Sequence, residues 1–186
     1  MVLKGTLAEI TKNFSYAFEN SGLMFDRKFV TTRTSPAYEG KRSALGDHVL
    51  KVGSVPKEYF IDKADLPRWK YLKGAKKEER SSKSGFKYTY NEGPMTFPDE
   101  LGSPSRTIIT AEGGSTPSRF KHVIKQNGRY RRLTPIELER LCMFPDNHTA
   151  HPVVADTKRA FFMGNALVVG VIEKLGRALL AADQGK

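Results

Sequence analysis

With one cysteine in 186 residues, Cys142, the chain can form neither an internal disulfide nor a zinc site built on several thiolates, and it fits a reducing compartment. There is no apolar run of about eighteen residues, the length a membrane-spanning helix needs. Met1-Val2-Leu3-Lys4 does not start a signal-peptide core. These absences lead us to expect a soluble, intracellular protein with no membrane partner. His148 and His151 lack both helical two-histidine spacing and a nearby acidic partner, so no metal site is expected. Negative charge is also scarce. The 31 lysines and arginines outnumber the 20 acidic residues and leave a net charge of +11. Such an excess favours a polyanionic partner, since each phosphate neutralised releases condensed counterions.

The best-specified segment is 131–146. Thr134 suits a helix N-cap, Pro135 the first helical position, and Glu137 falls at the capping-box spacing. Leu133 and Leu138 can close a hydrophobic staple, and Phe144-Pro145 ends the helix after about three turns. Upstream, residues 6–20 space apolar side chains as one amphipathic helix. Leu23–Phe25 and Lys28–Thr32 read as a strand pair around Asp26-Arg27, and 44–50 as a short helix.

From Leu66 to Tyr90 the chain turns basic, with Lys73, Lys76, Lys77, Arg80 and Lys83 interleaved with Trp69, Tyr71, Phe86, Tyr88 and Tyr90. Cations beside aromatics suit a surface that meets phosphates and nucleotide edges. A solvated helix from Trp69 to Arg80 is the plainer reading, and the two are compatible. Segments 91–99 and 103–114 read as two short strands punctuated by proline and glycine. Glu112 can accept a hydrogen bond from a cytosine amino group, Arg106 and Arg119 can address guanine or phosphate, and Gly113-Gly114 lets backbone approach DNA closely. His122–Ile124 and Asn127-Gly128-Arg129 form a strand and a turn before the capped helix. The run 161–180 is apolar nearly all round, more than a chain this small can bury by itself.

The segment Arg131-Arg132-Leu133-Thr134-Pro135-Ile136-Glu137-Leu138-Glu139-Arg140-Leu141-Cys142-Met143-Phe144-Pro145-Asp146 resembles the ninth motif of the DNA (cytosine-5) methyltransferases. Thr107-Ile108 stands where that family has a threonine-leucine element before a glycine-bearing recognition loop. Gly164-Asn165-Ala166 resembles the opening of the tenth motif, a helix that lines the S-adenosylmethionine pocket. The Leu45-Gly46-Asp47 and Pro56-Lys57-Glu58-Tyr59-Phe60 segments resemble family wording just after the eighth motif.

The resemblance covers only the second half of the family's pattern. A cysteine after proline, a Glu-Asn-Val element, a Gln-Arg-x-Arg element and a Phe-x-Gly-x-Gly cofactor loop are all missing from the sequence. The family attacks its flipped cytosine with a thiolate. Cys142, inside the capped helix, is not at the nucleophile's place. The resemblance therefore implies the recognition subunit of a heterodimeric cytosine-5 DNA methyltransferase of the restriction–modification kind, cytoplasmic in a prokaryote or phage. A partner chain would supply the nucleophile and most of the S-adenosylmethionine site. The alternative is a stand-alone, non-catalytic DNA-binding or regulatory protein.

The expected fold is α+β. A helix over 1–19 docks on the catalytic half, a strand-rich target-recognition domain covers 20–128, and 129–186 carries the two motif helices, the last completing the partner's doubly wound sheet. Double-stranded DNA is expected to meet Lys73, Lys76, Lys77, Arg80, Lys83, Arg106, Thr107, Glu112, Gly113, Gly114, Arg119, Arg131 and Arg132. The cofactor is expected at Asn165 and Ala166.

Overall fold

A computed structural model describes residues 5–184 and divides the chain into two compact units, Met1–Arg42 and Ser43–Lys186. In the first unit, helix α1 (Leu7–Asn13) opens on a capping box in which Thr6 and Glu9 satisfy each other's backbone N–H groups. The helix is shorter than the apolar spacing over 6–20 predicts. Past Asn13 the aromatics leave the helix, and Tyr16 and Phe18 pack their rings on Phe29. Strands β1 (Ser21–Phe25) and β2 (Lys28–Thr32) pair antiparallel around Asp26 and Arg27, both at positive φ, as a two-residue hairpin turn requires.

The second unit is a small mixed α/β domain built on short antiparallel pairs. Helix α2 (Leu66–Lys73) buries Trp69 and Lys73 and stops at Gly74. The expected helix does not continue to Arg80. Lys76–Ser81 instead forms strand β3, paired with β4 (Lys87–Glu92). The partner strand decides this, because Tyr88, Thr89 and Tyr90 are strand-favouring residues. They face Arg80, Glu79 and Glu78 across the ladder. Strand β5 (Val123–Gln126) turns through Asn127-Gly128, both at positive φ, into β6 (Arg129–Arg132). The strands expected over 91–99 and 103–114 do not form; Asp99 makes one isolated bridge to Ile124. Pro94, Pro98 and Pro104 withhold ladder donors there.

Helix α3 (Pro135–Leu141) has the capping box and N-terminal proline that its sequence predicts. The terminal apolar run is two helices, α4 (Asp156–Asn165) and α5 (Val169–Gln184). The core joins Leu45, Ile124, Leu133, Leu138, Cys142, Ala160 and Met163. It therefore draws on both sides of residue 128, where the sequence suggested a domain boundary, because the β5–β6 hairpin carries Ile124 into the same cluster as α3 and α4.

Two glycines set how closely the 109–114 loop lies on α4. A Cβ on Gly164 would stand 2.6 Å from the Ile109 carbonyl carbon and closer still to Thr110, while one on Gly113 would stand 2.8 Å from Thr157 Cα. Gly164 thus serves packing, and Asn165 ends α4 where the sequence suggested that it opens a helix. Gly164→Ala forces backbone apart, so a loss of about 1–3 kcal/mol is expected. Urea unfolding checks it, and an unchanged midpoint would remove the close approach from this account.

Candidate nucleic-acid interface

The β3–β4 hairpin presents Lys77, Arg80, Lys83 and Lys87 to solvent. Tyr71 and Phe86 are exposed beside them, Phe86 at 68%. Arg80 lies 3.6 Å from the centroid of the Tyr90 ring and pairs with Glu78 at 2.9 Å, so its guanidinium is held near the strand while its outer face stays wet. Tyr71 Oη donates to the same Glu78 at 3.0 Å, which ties the hairpin base to α2. Lys76, expected to meet DNA, is half-buried and pairs with Glu92 at 2.8 Å.

Behind the hairpin, charged side chains face inward. Lys73 is buried, and its Nζ donates to the carbonyls of Arg119 (3.1 Å) and Lys121 (2.6 Å). Burial pulls its pKa down to about 8, with Asp99 opposing the drop. Arg106 forms a two-pronged bridge to Asp99 at 2.6 and 3.1 Å and also donates to the carbonyls of Phe120 and Lys121. Burial alone would raise the Asp99 carboxyl, but the Arg106 bridge and the Val123 N–H hold it below the ordinary aspartate value. Arg119 donates to Gly74 O (3.3 Å), Glu92 (3.1 Å) and Gly93 O (2.5 Å). Glu112 is buried, accepts the His122 N–H at 3.0 Å, and meets the His122 ring, whose far nitrogen faces Ser105 Oγ at 3.2 Å.

Five of the expected base or phosphate contacts are thus engaged inside the chain: Lys73, Lys76, Arg106, Glu112 and Arg119. Among the described residues, every buried side-chain nitrogen or oxygen has a partner. The reason is topological. A loop of residues 105–122 with no strand ladder needs other donors for its carbonyls, and buried lysine and arginine supply them. The sequence pattern shows the charges but not which way they point.

The α3 segment closes on itself in the same manner. Arg131, with no exposure, pairs with Glu137 at 2.6 and 2.9 Å, and Glu137 also accepts from Thr134 N and Leu50 N, each at 2.7 Å. Arg132 donates to Gly113 O, Gly114 O and Glu58 O, pinning the glycine pair from behind. Arg140 pairs with Asp146 at 2.6 Å, and Glu139 with Arg159 at 3.0 Å. The arginines of this segment therefore hold structure, and Gly113-Gly114 faces Arg132 and α4. Sequence reading missed the buried pairs Arg159–Glu139 and His122–Glu112; the separation of each pair in the chain hides them.

Of the remaining expected residues, Thr107 is exposed and shares with Ala166 a cleft of about 330 Å³ that also touches Gly164 and Cys142. Asn165 is exposed and donates to Phe161 O at 3.0 Å. Cys142 is buried with its Sγ toward Met163 O, and burial pushes its thiol above the usual range. No residue of α5 is buried, and Val171, Leu175 and Leu179 are among its open apolar side chains. Among the described residues no helix is long and apolar enough to cross a membrane, and no group of three or more His, Cys, Asp or Glu is placed to hold a metal ion.

The family model for C-5 cytosine-specific DNA methylases matches residues 10–181. The chain is 39% identical over 177 residues to the type II methyltransferase M.Sau3AI of Staphylococcus aureus, a match that covers 95% of this chain and 41% of that enzyme. Enzymes of this family take their methyl group from S-adenosylmethionine. A family match over nearly the whole chain, with 39% identity across 95% of it to one such enzyme, means that the chain belongs to the C-5 cytosine-specific DNA methylase family.

Proposed function

We propose that this chain is the DNA-recognition part of a cytosine-5 DNA methyltransferase, acting with a separate polypeptide that carries the nucleophile and most of the cofactor site. The observation that carries the reading is the state of its only thiol. Cys142 is buried in the core beneath α4 with its acidity suppressed, so no thiolate of this chain can reach a flipped cytosine. The match to 41% of a longer enzyme fits a chain that holds one portion of the catalytic machinery.

In this reading the exposed cations of the β3–β4 hairpin, Lys77, Arg80, Lys83 and Lys87, engage the phosphates. Arg106, Arg119, Glu112, Lys73 and Arg132 act as positioning residues, holding the 105–122 loop in shape, and Arg131 holds the start of α3 through Glu137. Thr107 stands at the open edge of that loop. The α5 helix, apolar and exposed, docks on the partner's sheet, where its burial stabilises the complex at roughly 25 cal/mol for each Å² removed from water.

The fit to S-adenosylmethionine is partial. Asn165 offers a carboxamide oxygen that takes no hydrogen bond from the described residues, and Ala166 lies at the cleft edge. The cleft lining contains no carboxylate to hold ribose hydroxyls. These residues fit the rim of a cofactor pocket whose floor lies elsewhere. The bound cofactor supplies an electrophilic methyl group, and Asn165 would orient it.

Methyl transfer from labelled S-adenosylmethionine into duplex DNA tests the reading. The chain alone is expected to transfer none, and addition of a polypeptide bearing the Pro-Cys loop and cofactor loop of the family is expected to give transfer that needs both. Full activity of either polypeptide alone would overturn it.

A further inference from the structure

A second concave surface lies apart from the hairpin cations, between the start of α2 and the β5–β6 turn. Phe60 bridges to Arg131, and Ile61 N–H donates to Tyr130 O at 2.9 Å, so the segment before α2 is pinned alongside β6. The resulting cleft measures about 850 Å³, within the range of small-molecule sites. Its walls are Phe60, Leu66 and Tyr130. Tyr130 is fixed from outside by stacking on Phe97, centroids 5.3 Å apart and planes 2° from parallel. Gly128, at positive φ, leaves the turn side without a side chain.

The rim is cationic. Lys63, Lys70 and Arg129 line it, and none of the three has an ion-pair partner among the described residues. Arg129 lies 3.7 Å from the centroid of the Phe60 ring, which fixes its guanidinium at the mouth. Asp62 is the one carboxylate in the lining, so the site keeps net positive charge.

We propose that this cleft binds a nucleoside monophosphate unit, the base against Phe60, Leu66 and Tyr130 and the phosphate against Lys63, Lys70 and Arg129. Apolar walls alone would suit a peptide, but they leave three uncompensated cations unexplained. Cations alone would suit free phosphate, but they leave the aromatic floor unexplained. A base joined to a phosphate satisfies both, through stacking on aromatic and guanidinium groups and charge-assisted hydrogen bonds. Paired DNA keeps its bases stacked inside the helix, so the occupant is a free nucleotide or an unpaired nucleotide of a strand. The assignment does not depend on the recognition role proposed above.

Calorimetric titration of the whole chain with the four deoxynucleoside monophosphates, the matching nucleosides, inorganic phosphate and a five-nucleotide single strand tests it, with amide shifts of Phe60 and Tyr130 locating the site. A monophosphate or the strand is expected to bind at least tenfold more tightly than nucleoside or phosphate. The combined Lys63→Gln and Arg129→Gln variant, whose side chains are exposed and whose fold circular dichroism checks, is expected to bind about tenfold or more weakly. Binding by the monophosphate assigns a free nucleotide, and binding by the strand alone assigns an unpaired one. Inorganic phosphate binding as tightly as nucleotide, affinity indifferent to Lys63 and Arg129, or no shift at Tyr130 with any probe would overturn the proposal.

Discussion

Glu137→Gln is expected to lower the unfolding free energy by about 3–5 kcal/mol, the usual cost of removing one partner from a buried ion pair. The glutamine has nearly the shape of the glutamate, so the loss isolates charge and hydrogen bonding from packing. In the folded chain the carboxylate takes both prongs of Arg131 and the N–H groups of Thr134 and Leu50. An amide in its place turns an NH2 toward a donor and leaves the Arg131 charge unmatched at a site that water does not reach. Arg131 keeps Gln126 Oε1 at 2.8 Å and the Arg132 carbonyl at 3.0 Å, and neither is a charge.

A domain of this size commonly has only about 5–15 kcal/mol to lose, so a large drop in urea midpoint is expected. The matching control is Glu173→Gln. Its pair with Arg177 is exposed on both sides and spaced i,i+4, and such pairs contribute about 0.3–0.5 kcal/mol. A Glu137→Gln cost near that of the control would mean that the Arg131 pair is not sealed from solvent.

The second large effect is on DNA affinity. With Lys77→Gln, Arg80→Gln, Lys83→Gln and Lys87→Gln combined, the slope of log affinity against log salt is expected to fall by about 3.6, or 0.9 for each phosphate that is no longer neutralised. At ~0.15 M salt that corresponds to weakening on the order of 10³-fold on a mixed-sequence duplex. All four side chains are exposed, so folding should survive, which circular dichroism checks. Lys73→Met is the informative contrast. Lys73 donates to two carbonyls of the 119–121 segment and faces no solvent, so its removal is expected to appear in stability with the salt slope kept. A quadruple variant with the parent's slope would move the phosphate-binding surface off the hairpin.

Local structure was legible wherever a few adjacent residues decide it. The α3 cap, the Asn127-Gly128 turn and the β1–β2 strand pair all rest on chemistry within about four residues. The capping box at Thr6 and Glu9 was equally local, and it went unread because the apolar spacing over 6–20 suggested a longer helix. The β3–β4 hairpin was not legible in that way. Lys76–Ser81 has no strand propensity of its own, and only the aromatic and threonine-bearing strand across the ladder makes it one. The break at 166–168 was misplaced for a different reason: Gly164-Asn165 serves equally as a helix start or a helix end, and only the close approach of Gly164 to Ile109 and Thr110 makes it the end of α4.

Family membership was determined by sequence alone, because identity along the chain is a one-dimensional property. Composition likewise settled the positive charge. The tertiary structure decided which of those charges remain for a partner. Lys73, Arg106, Arg119, Arg131 and Arg132 are drawn inward to satisfy carbonyls and carboxylates that an irregular loop and a capped helix would otherwise bury unpaired. Lys77, Arg80, Lys83 and Lys87 stay outside because the paired hairpin backbone already satisfies its own polar groups. The physical reason is the cost of an unmatched buried polar atom, which depends on contacts between residues tens of positions apart.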